Sequence, residues 1–279
     1  MQEFAILGST GNVGSALDRE FSEQNLSFRK VNRELLDGVN LQKFKKKFYG
    51  AKNLTFINCV GFKPVDSCEL EPEKSKYANY LFPIEIAKFI KNFTDSKMIQ
   101  ISTDFVFNGQ NVSTPYNPNA VTKPVNIYGV HKANAEGRVI SILSQRVRVV
   151  RISAFTGRTA SQNTFVEKIW KQSLSTEIIK VIEDLRFSVS TSALLASDIQ
   201  QVFSVNNLIQ HSVNLNECSW YELAKEFFTA KSIHSKLLPV SVKSLNLAAI
   251  RPKYSVLEST SFDKNKILLD WKEAIQRAF

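Results

Sequence analysis

No apolar run in the sequence approaches the length of about 20 residues that a membrane-spanning helix needs. The first residues, MQEFAILGSTG, are not typical of a secretory signal peptide, because their apolar run is short and an acidic residue precedes it. Long linkers, internal repeats and low-complexity tracts are also missing. Since 43% of the 279 residues are hydrophobic, the chain can bury a full core, and we expect a soluble, cytoplasmic protein.

Cysteine is scarce as well. The three cysteines, Cys59, Cys68 and Cys218, form neither a C-x-x-C motif nor a zinc-ligand spacing. Cys59 falls inside an apolar run, so we interpret it as a reduced, buried thiol. Nothing in the sequence requires a metal ion, and we predict no metal site.

Acidic residues are fewer than basic ones, 26 against 36, which gives a formal net charge of +10. Such an excess suits either nucleic acid or a small anionic ligand. The sequence has no zinc finger, RNP motif or arginine-rich arm, and its densest basic run, KFKKKF at 43–48, is typical of a solvated helix face. A phosphorylated substrate or cofactor explains the charge, and we expect neither nucleic acid nor a membrane as a partner.

Short apolar runs alternate with amphipathic stretches along the first half of the chain. The strand-like runs are FAIL, LSFRKVN, LTFINCVG, KMIQIST and RVRVVRIS. Strands that are apolar throughout and alternate with helices are typical of a parallel sheet covered on both faces. We predict an α/β fold with a Rossmann-type doubly wound parallel sheet over 1–153, to which some later segments, about 178–205, return. The remainder of 154–279 is predicted to be mainly a smaller α/β substrate-binding lobe.

Three glycines, Gly8, Gly11 and Gly14, follow the first strand in ILGSTGNVGSAL and open a helix. Gly8 permits a tight turn, Gly11 lets the backbone approach a pyrophosphate, and Gly14 lets the helix pack close to the sheet. The helix N-terminus offers free N–H groups to the phosphate. The pattern therefore predicts a dinucleotide site. We assign the cofactor to this turn and to the end of the third strand, at Gly8, Thr10, Gly11, Asn12, Val13, Gly14, Cys59, Val60 and Gly61.

The residues after the second strand bear on the choice of dinucleotide. An acidic residue there would bind the adenosine ribose diol and repel a 2′-phosphate, but in FRKVNRELLD no acid precedes Glu34. Arg33 is placed to bind a 2′-phosphate, so we predict NADPH. NADH stays possible, because Arg33 could be an ordinary surface arginine beside Glu34 and Asp37.

Two Tyr-x-x-x-Lys pairs occur, Tyr128 with Lys132 and Tyr221 with Lys225. On a helix either pair lies on one face, so spacing does not distinguish them. Only the first pair follows a strand that ends in Ser-Thr-Asp at the carboxyl edge of the sheet, where doubly wound folds bind their ligands. We therefore predict chemistry for the first pair and an ordinary amphipathic helix for the second.

The first pair and Thr103 together have the side chains that reduction of a ketone needs. Thr103 can hydrogen-bond a carbonyl oxygen, and Tyr128 can give that oxygen a proton as hydride reaches the carbon. Lys132 can stabilise negative charge on the phenolic oxygen and hold the nicotinamide ribose hydroxyls. We assign all three as catalytic, with Tyr128 and Lys132 also binding the cofactor.

These motifs resemble the extended short-chain dehydrogenase/reductase superfamily and, within it, the dTDP-4-dehydrorhamnose reductase family. The resemblance extends almost from end to end, through GSTGNVGSAL, RELLD, INCVGFKPVDSCELEPEKSKYANYLFP, ISTDFVFNG, PVNIYGVHKANAE and RPKYSVL. The last of these is the most discriminating, since it is similar to the family's Arg-Pro-x-x-Ser-x-Leu. The resemblance implies NADPH-dependent reduction of the 4-keto group of a 4-keto-6-deoxy nucleotide sugar, in deoxysugar and surface polysaccharide biosynthesis. A homodimer is expected by analogy with the superfamily.

The side of the site that should bind the sugar departs from the family pattern. The family usually has Tyr at Phe105 and Trp at Ala154, and it has Gly and Pro at Phe187 and Val189. Related dehydratases carry an acid at the position of Phe105, which argues against dehydration. Losing an indole removes a large contact surface, so the substrate could differ from the family's. The resemblance assigns substrate binding to Val65, Asp104, Phe105, Ala154 and Arg251.

Two alternatives remain open. One is a reductase or epimerase of a different nucleotide sugar. The other is a regulatory subunit that binds dinucleotide without chemistry, since the methionine adenosyltransferase beta subunit resembles the same family and a fold does not determine a function. The retention of Thr103, Tyr128 and Lys132 argues against this second alternative.

Overall fold

The computed structural model describes residues 3–32, 41–92, 96–110, 113–159, 163–260 and 267–279. The helices are α1 (Asn12–Glu23), α2 (Leu41–Phe48), α3 (Val65–Leu70), α4 (Pro72–Lys76), α5 (Phe82–Lys91), α6 (Ile127–Leu143), α7 (Phe165–Ser173), α8 (Ser192–Gln201), α9 (Trp220–Ala230) and α10 (Trp271–Ala278). The strands are β1 (Glu3–Leu7), β2 (Phe28–Val31), β3 (Leu54–Asn58), β4 (Lys97–Thr103), β5 (Val147–Ile152), β6 (Phe155–Thr156), β7 (Ile178–Ile182), β8 (Arg186–Phe187), β9 (Ser190–Thr191), β10 (Ile209–His211), β11 (Lys236–Val240) and β12 (Tyr254–Ser255).

Six strands form one parallel sheet in the order β10-β5-β4-β3-β1-β2. Their apolar side chains are buried because helices cover both faces, as the unbroken apolar runs require. The chain leaves β1 toward β2 on one side and returns to β3 on the other. Doubly wound folds bind ligands at such a switch point, beyond the carboxyl ends of the strands. The predicted α/β doubly wound sheet is confirmed.

The two faces of the sheet have separate cores. On one face, α2 and α5 enclose an aromatic cluster of Phe44, Phe48, Phe56 and Phe89, whose ring centroids lie 4.9–6.5 Å apart. On the other face, α1 and α8 pack their apolar stripes against the strands. Burial on both faces fixes the strand ends that carry the site.

The later part of the chain divides between the sheet and a second core. α8 covers the sheet and β10 extends its edge, whereas β7, from the same range of about 178–205, pairs with β11 outside it. The second core lies among α7, α9 and α10 and the β7–β11 pair. Within the described residues, no helix is long and apolar enough to cross a membrane.

Candidate active site

The glycine turn after β1 has the geometry expected of a phosphate-binding loop. Gly8 has a φ of +77°, which favours glycine, and the N–H of Gly11 donates to its carbonyl oxygen (3.0 Å). A Cβ on Gly14 would overlap that same oxygen, so only glycine fits there. Gly11 is the cap residue before α1 and has no side chain with which to cap it, which leaves the helix N-terminus suited to an anion.

The end of β3 lies directly against this turn. A Cβ on Gly8 would come 3.1 Å from Cγ2 of Val60, so the two segments touch. Cys59 is tied to β1 by a hydrogen bond from its N–H to the oxygen of Leu7 (3.0 Å), and Gly61 follows at the surface. These residues lie at one edge of the sheet, as do Thr10, Asn12 and Val13 at the start of α1. Arg33, which the sequence assigns to the 2′-phosphate, lies outside the described residues.

The catalytic candidates lie at the same edge. Thr103 ends β4, and Tyr128 and Lys132 lie on the buried side of α6, only 4% and 5% exposed. The Phe105 ring packs edge-on against the Tyr128 ring, with centroids 5.9 Å apart. The ammonium of Lys63 lies 5.7 Å from the centre of the Tyr128 ring. The structure therefore brings Thr103, Tyr128 and Lys132 to the sheet edge that also carries the glycine turn.

Lys132 is held beneath the sheet edge by the backbone. Its Nζ donates to the carbonyl oxygen of Ile101 (2.6 Å), which also accepts from the Gln100 amide (2.8 Å). Burial lowers the pKa of Lys132 to about 8, and the positive charge of Lys63 acts in the same direction. The charge of Glu136 acts in the opposite direction. Lys132 is thus mostly protonated at neutral pH and loses its proton as the pH rises through about 8.

Cys59 lies near Lys132 but has a different character. Burial raises the pKa of its thiol to about 12, although the positive charge of Lys132 opposes this. The thiol therefore stays protonated and unreactive, which agrees with a packing role.

The residues predicted to bind substrate do not form one cluster of similar environment, since they differ in burial and in the elements that they contact. Val65 begins α3 and Phe105 faces Tyr128, and both are half-buried. Ala154 packs against the second core, to which Phe165 and Trp220 also belong. The carboxylate of Asp104 is buried and accepts hydrogen bonds from protein hydroxyls.

Arg251 is held in an ion pair with Asp66 of α3. Its Nη2 donates to Oδ2 of that carboxylate (2.5 Å), and its Nη1 donates to the oxygen of Ala249 (2.8 Å). Burial raises the pKa of Asp66, but hydrogen bonds from the Ala249 N–H and from Arg251 outweigh this and hold it below its usual value. In this structure Arg251 joins the late segment to the sheet domain.

Several residues that position α6 are absent from the sequence-based assignment. Asn126 caps the helix by accepting from the N–H of Gly129 (2.8 Å), and its Nδ2 donates to the oxygen of Ile250 (2.8 Å). Glu69 accepts from the N–H of Ile127 (2.7 Å). An Asn directly before a helix is a capping signal that the sequence shows. The contacts of this helix start with Glu69 and Ile250 have no such signal in the sequence.

Gly129 lies at a close contact between α6 and the turn that follows β4. A Cβ at this position would overlap the carbonyl oxygen of Phe105, so the absence of a side chain lets Tyr128 approach β4. Further along α6, Glu136 accepts from Ser102 (2.5 Å) and from Nη2 of Arg151 (2.7 Å), all buried. This ion pair anchors the middle of α6 to β4 and β5.

Comparison with known proteins agrees with the fold and with the resemblance predicted from the sequence. The family model described as "RmlD substrate binding domain" matches residues 2–279. The chain is 28% identical to dTDP-4-dehydrorhamnose reductase of Mycolicibacterium smegmatis, covering 99% of this chain and 85% of that protein. It is 25% identical to the spore coat polysaccharide biosynthesis protein SpsK of Bacillus subtilis, covering 99% and 96%. The crystal structure of dTDP-4-dehydrorhamnose reductase from Bacillus anthracis in complex with NADP matches with a TM-score of 0.90 and 26% identity, covering 100% and 99%. The predicted resemblance is confirmed.

Proposed function

Since this chain belongs to the RmlD substrate binding domain family, we propose that it reduces the 4-keto group of a 4-keto-6-deoxy nucleotide sugar with NADPH. The observation that carries this proposal is the burial of Tyr128 and Lys132 on α6, against the strand β4 that ends in Thr103 and at the sheet edge where the glycine turn lies. Relatives over the whole chain length are named dTDP-4-dehydrorhamnose reductase, which supports the same reaction.

The described residues fit a dinucleotide. A Cβ on Gly8 or on Gly14 would meet backbone atoms, and among the described residues no side chain caps α1. These residues, with Val60 and Gly61, would hold the pyrophosphate and nicotinamide half, and Arg33 is proposed for the 2′-phosphate. NADPH would supply a hydride. The NADP in the similar Bacillus anthracis reductase supports this choice.

The protein's own part in the reaction is proton transfer and positioning. As hydride reaches the carbonyl carbon, Tyr128 gives its phenolic proton to the carbonyl oxygen, so that the ketone becomes an alcohol. Lys132 has a pKa of about 8 and is protonated below that pH, so its positive charge stabilises the resulting phenolate until solvent reprotonates it. Thr103 orients the substrate at the end of β4.

The sugar side leaves the substrate's identity open within this class. Phe105 presents a ring without a hydroxyl beside Tyr128, and Ala154 presents a methyl group where the family has an indole. We infer that Val65 and Phe105 contact the sugar and that the methyl group of Ala154 offers it less contact surface than the family's tryptophan would.

A binding panel followed by a turnover assay tests this function. Native protein would be heated with NADPH, NADH and dTDP-, UDP-, GDP- and CDP-sugars, because a ligand of the folded state raises the melting temperature. The matching 4-keto-6-deoxy sugars would then be assayed for NADPH consumption. A product with altered stereochemistry and no NADPH use would indicate an epimerase instead. Stoichiometric co-purification with another enzyme, without any turnover, would indicate a regulatory subunit.

We also propose that the protein acts in the cytoplasm as a homodimer, with a nucleotide sugar as its only class of partner besides the cofactor. The free thiols of Cys59, Cys68 and Cys218 support a reducing compartment. Light scattering on the purified protein would test the dimer.

A further inference from the structure

The carboxylate of Asp104 is buried, at 4% exposure, and three hydroxyls converge on it. Thr103 donates to Oδ1 (3.1 Å), while Ser153 (2.9 Å) and Ser255 (2.5 Å) donate to Oδ2. Thr103 ends β4, Ser153 follows β5 and Ser255 lies in β12. One carboxylate therefore joins two adjacent strand ends of the sheet to a segment from late in the chain.

This arrangement constrains the hydroxyl of Thr103. The hydroxyl has one proton and two lone pairs, and its oxygen already accepts from the N–H of Phe105 (3.2 Å). While Asp104 is ionised it can only accept, so the Thr103 proton points at the carboxylate and one lone pair remains for a ligand. In this state Thr103 accepts from a hydroxyl of the sugar and does not donate to the carbonyl oxygen, contrary to what the sequence had led us to expect. The oxygen is thereby presented to the substrate in one orientation.

The two serines favour the ionised carboxylate, although the net effect of its surroundings is a raised pKa. Burial raises the pKa of Asp104, whereas hydrogen bonds from Ser255, Ser153 and Thr103 act in the opposite direction by stabilising the anion. Hydrogen bonds to a buried, charged group are strong and coupled to one another. Removing one donor should therefore change the hydrogen bonds that the other two hydroxyls make to Asp104.

Ser255 is itself fixed by its neighbours. The N–H of Tyr116 donates to the oxygen of Val256 (2.8 Å), and the N–H of Leu257 donates to Oγ of Ser188 (2.9 Å). A Cβ on Gly109 would overlap Pro252, so this late segment packs tightly on the loop after β4. The serine of the RPKYSVL motif thus reaches the catalytic strand end through a rigid contact.

We propose that Asp104 is a positioning residue that fixes the hydroxyl of Thr103, and that Ser153 and Ser255 hold its carboxylate for this purpose. Asp104 acts through Thr103 and does not itself bind the sugar. This inference rests on the proposed function for its kinetic test, but its structural test needs only the free protein.

The structural test is the rate of hydrogen exchange at the backbone N–H of Phe105, which donates its hydrogen bond to the Thr103 hydroxyl. Ser255→Ala should accelerate this exchange about tenfold, because the reoriented hydroxyl no longer holds the amide. Ser212→Ala is the matched control, since Ser212 is a buried serine that donates to a different buried carboxylate, Asp198 (2.7 Å). It should leave exchange at Phe105 within about twofold. Unchanged exchange in Ser255→Ala would overturn the proposal.

The kinetic test is a double-mutant cycle on the reductase. In the wild-type background, Ser255→Ala should lower kcat about tenfold without changing the KM for NADPH. In the Thr103→Val background the same substitution should lower kcat by less than about twofold, because Ser255 acts through Thr103. An equal loss of kcat with Thr103 and with Val at position 103 would show that Ser255 has only a structural role. Ser153→Ala, which removes the other donor to Oδ2, repeats both tests if Ser255→Ala fails to fold. If no keto-sugar is reduced, the proposed function fails and the exchange test alone decides the inference.

Discussion

The two Tyr-x-x-x-Lys pairs occupy equivalent places on their helices. Tyr128 is the second residue of α6 and Tyr221 the second residue of α9, and each helix follows a side-chain cap, Asn126 or Ser219. Their environments are opposite. Lys132 is 5% exposed with a pKa lowered to about 8, whereas Lys225 points to solvent. Burial, rather than spacing or helix position, distinguishes the pair for which we propose chemistry from the other pair.

The caps differ in the same way. α9 caps itself, because Ser219 and Glu222 exchange hydrogen bonds within one turn. The first turn of α6 is held partly from a distance, by Glu69 and by the contact from Asn126 to Ile250. A self-capped helix can form anywhere on the surface, but a helix held by distant segments is placed accurately enough for chemistry.

The largest expected difference between the pairs lies in turnover. Tyr128→Phe should lower kcat by about a thousandfold, since it removes the proton donor but keeps the ring. Tyr221→Phe should leave kcat within about twofold. NADPH consumption with a competent keto-sugar measures both, and full activity of Tyr128→Phe would remove the mechanism.

A second difference concerns the lysines. Lys132→Met should lower kcat about a hundredfold, because the phenolate formed at Tyr128 loses its stabilising charge. Lys225→Met, the control in α9, should be silent. Comparable kcat values for the two variants would mean that the buried ammonium has no part in the reaction.

Glycines on α6 extend the comparison to stability. Gly129→Ala should lower the free energy of unfolding by about 1–3 kcal/mol, because its Cβ would overlap the Phe105 carbonyl. Gly137→Ala lies on the same helix, where a Cβ would meet no atom of the described residues within 4 Å, and should raise it by up to about 1 kcal/mol. Urea unfolding monitored by circular dichroism compares them. Similar effects of the two substitutions would contradict the close approach of α6 to β4.

The smallest expected effect is a shift in pH dependence. Activity should fall as the pH rises through about 8, because Lys132 then loses its proton. Lys63→Ala removes a neighbouring positive charge that disfavours protonation, so the alkaline limb of kcat should move to higher pH by less than about one unit. Lys225→Ala should leave the limb in place. A shift to lower pH after Lys63→Ala would mean that the two ammonium groups do not repel each other.

The sequence predicted what local pattern encodes. Apolar runs located five of the six strands of the sheet but not the short edge strand β10, and the glycine spacing located a turn where Gly14 has no space for a side chain. Local pattern says nothing about partners far along the chain. The ion pair of Asp66 with Arg251 and the contact of Asp104 with Ser255 join residues more than a hundred positions apart. Two-residue strands such as β8 and β12 were likewise missed, because only pairing with a distant segment defines them.

The contact between Asn126 and Ile250 has a consequence for synthesis on the ribosome. The strands up to β5 can assemble as soon as they emerge, but Asn126, the cap residue of α6, lacks its partner Ile250 until that residue has left the exit tunnel. We therefore expect nascent chains arrested before that point to bind dinucleotide yet to be inactive. Translation arrested at successive lengths, with binding and turnover measured at each, would reveal whether activity appears only at the end.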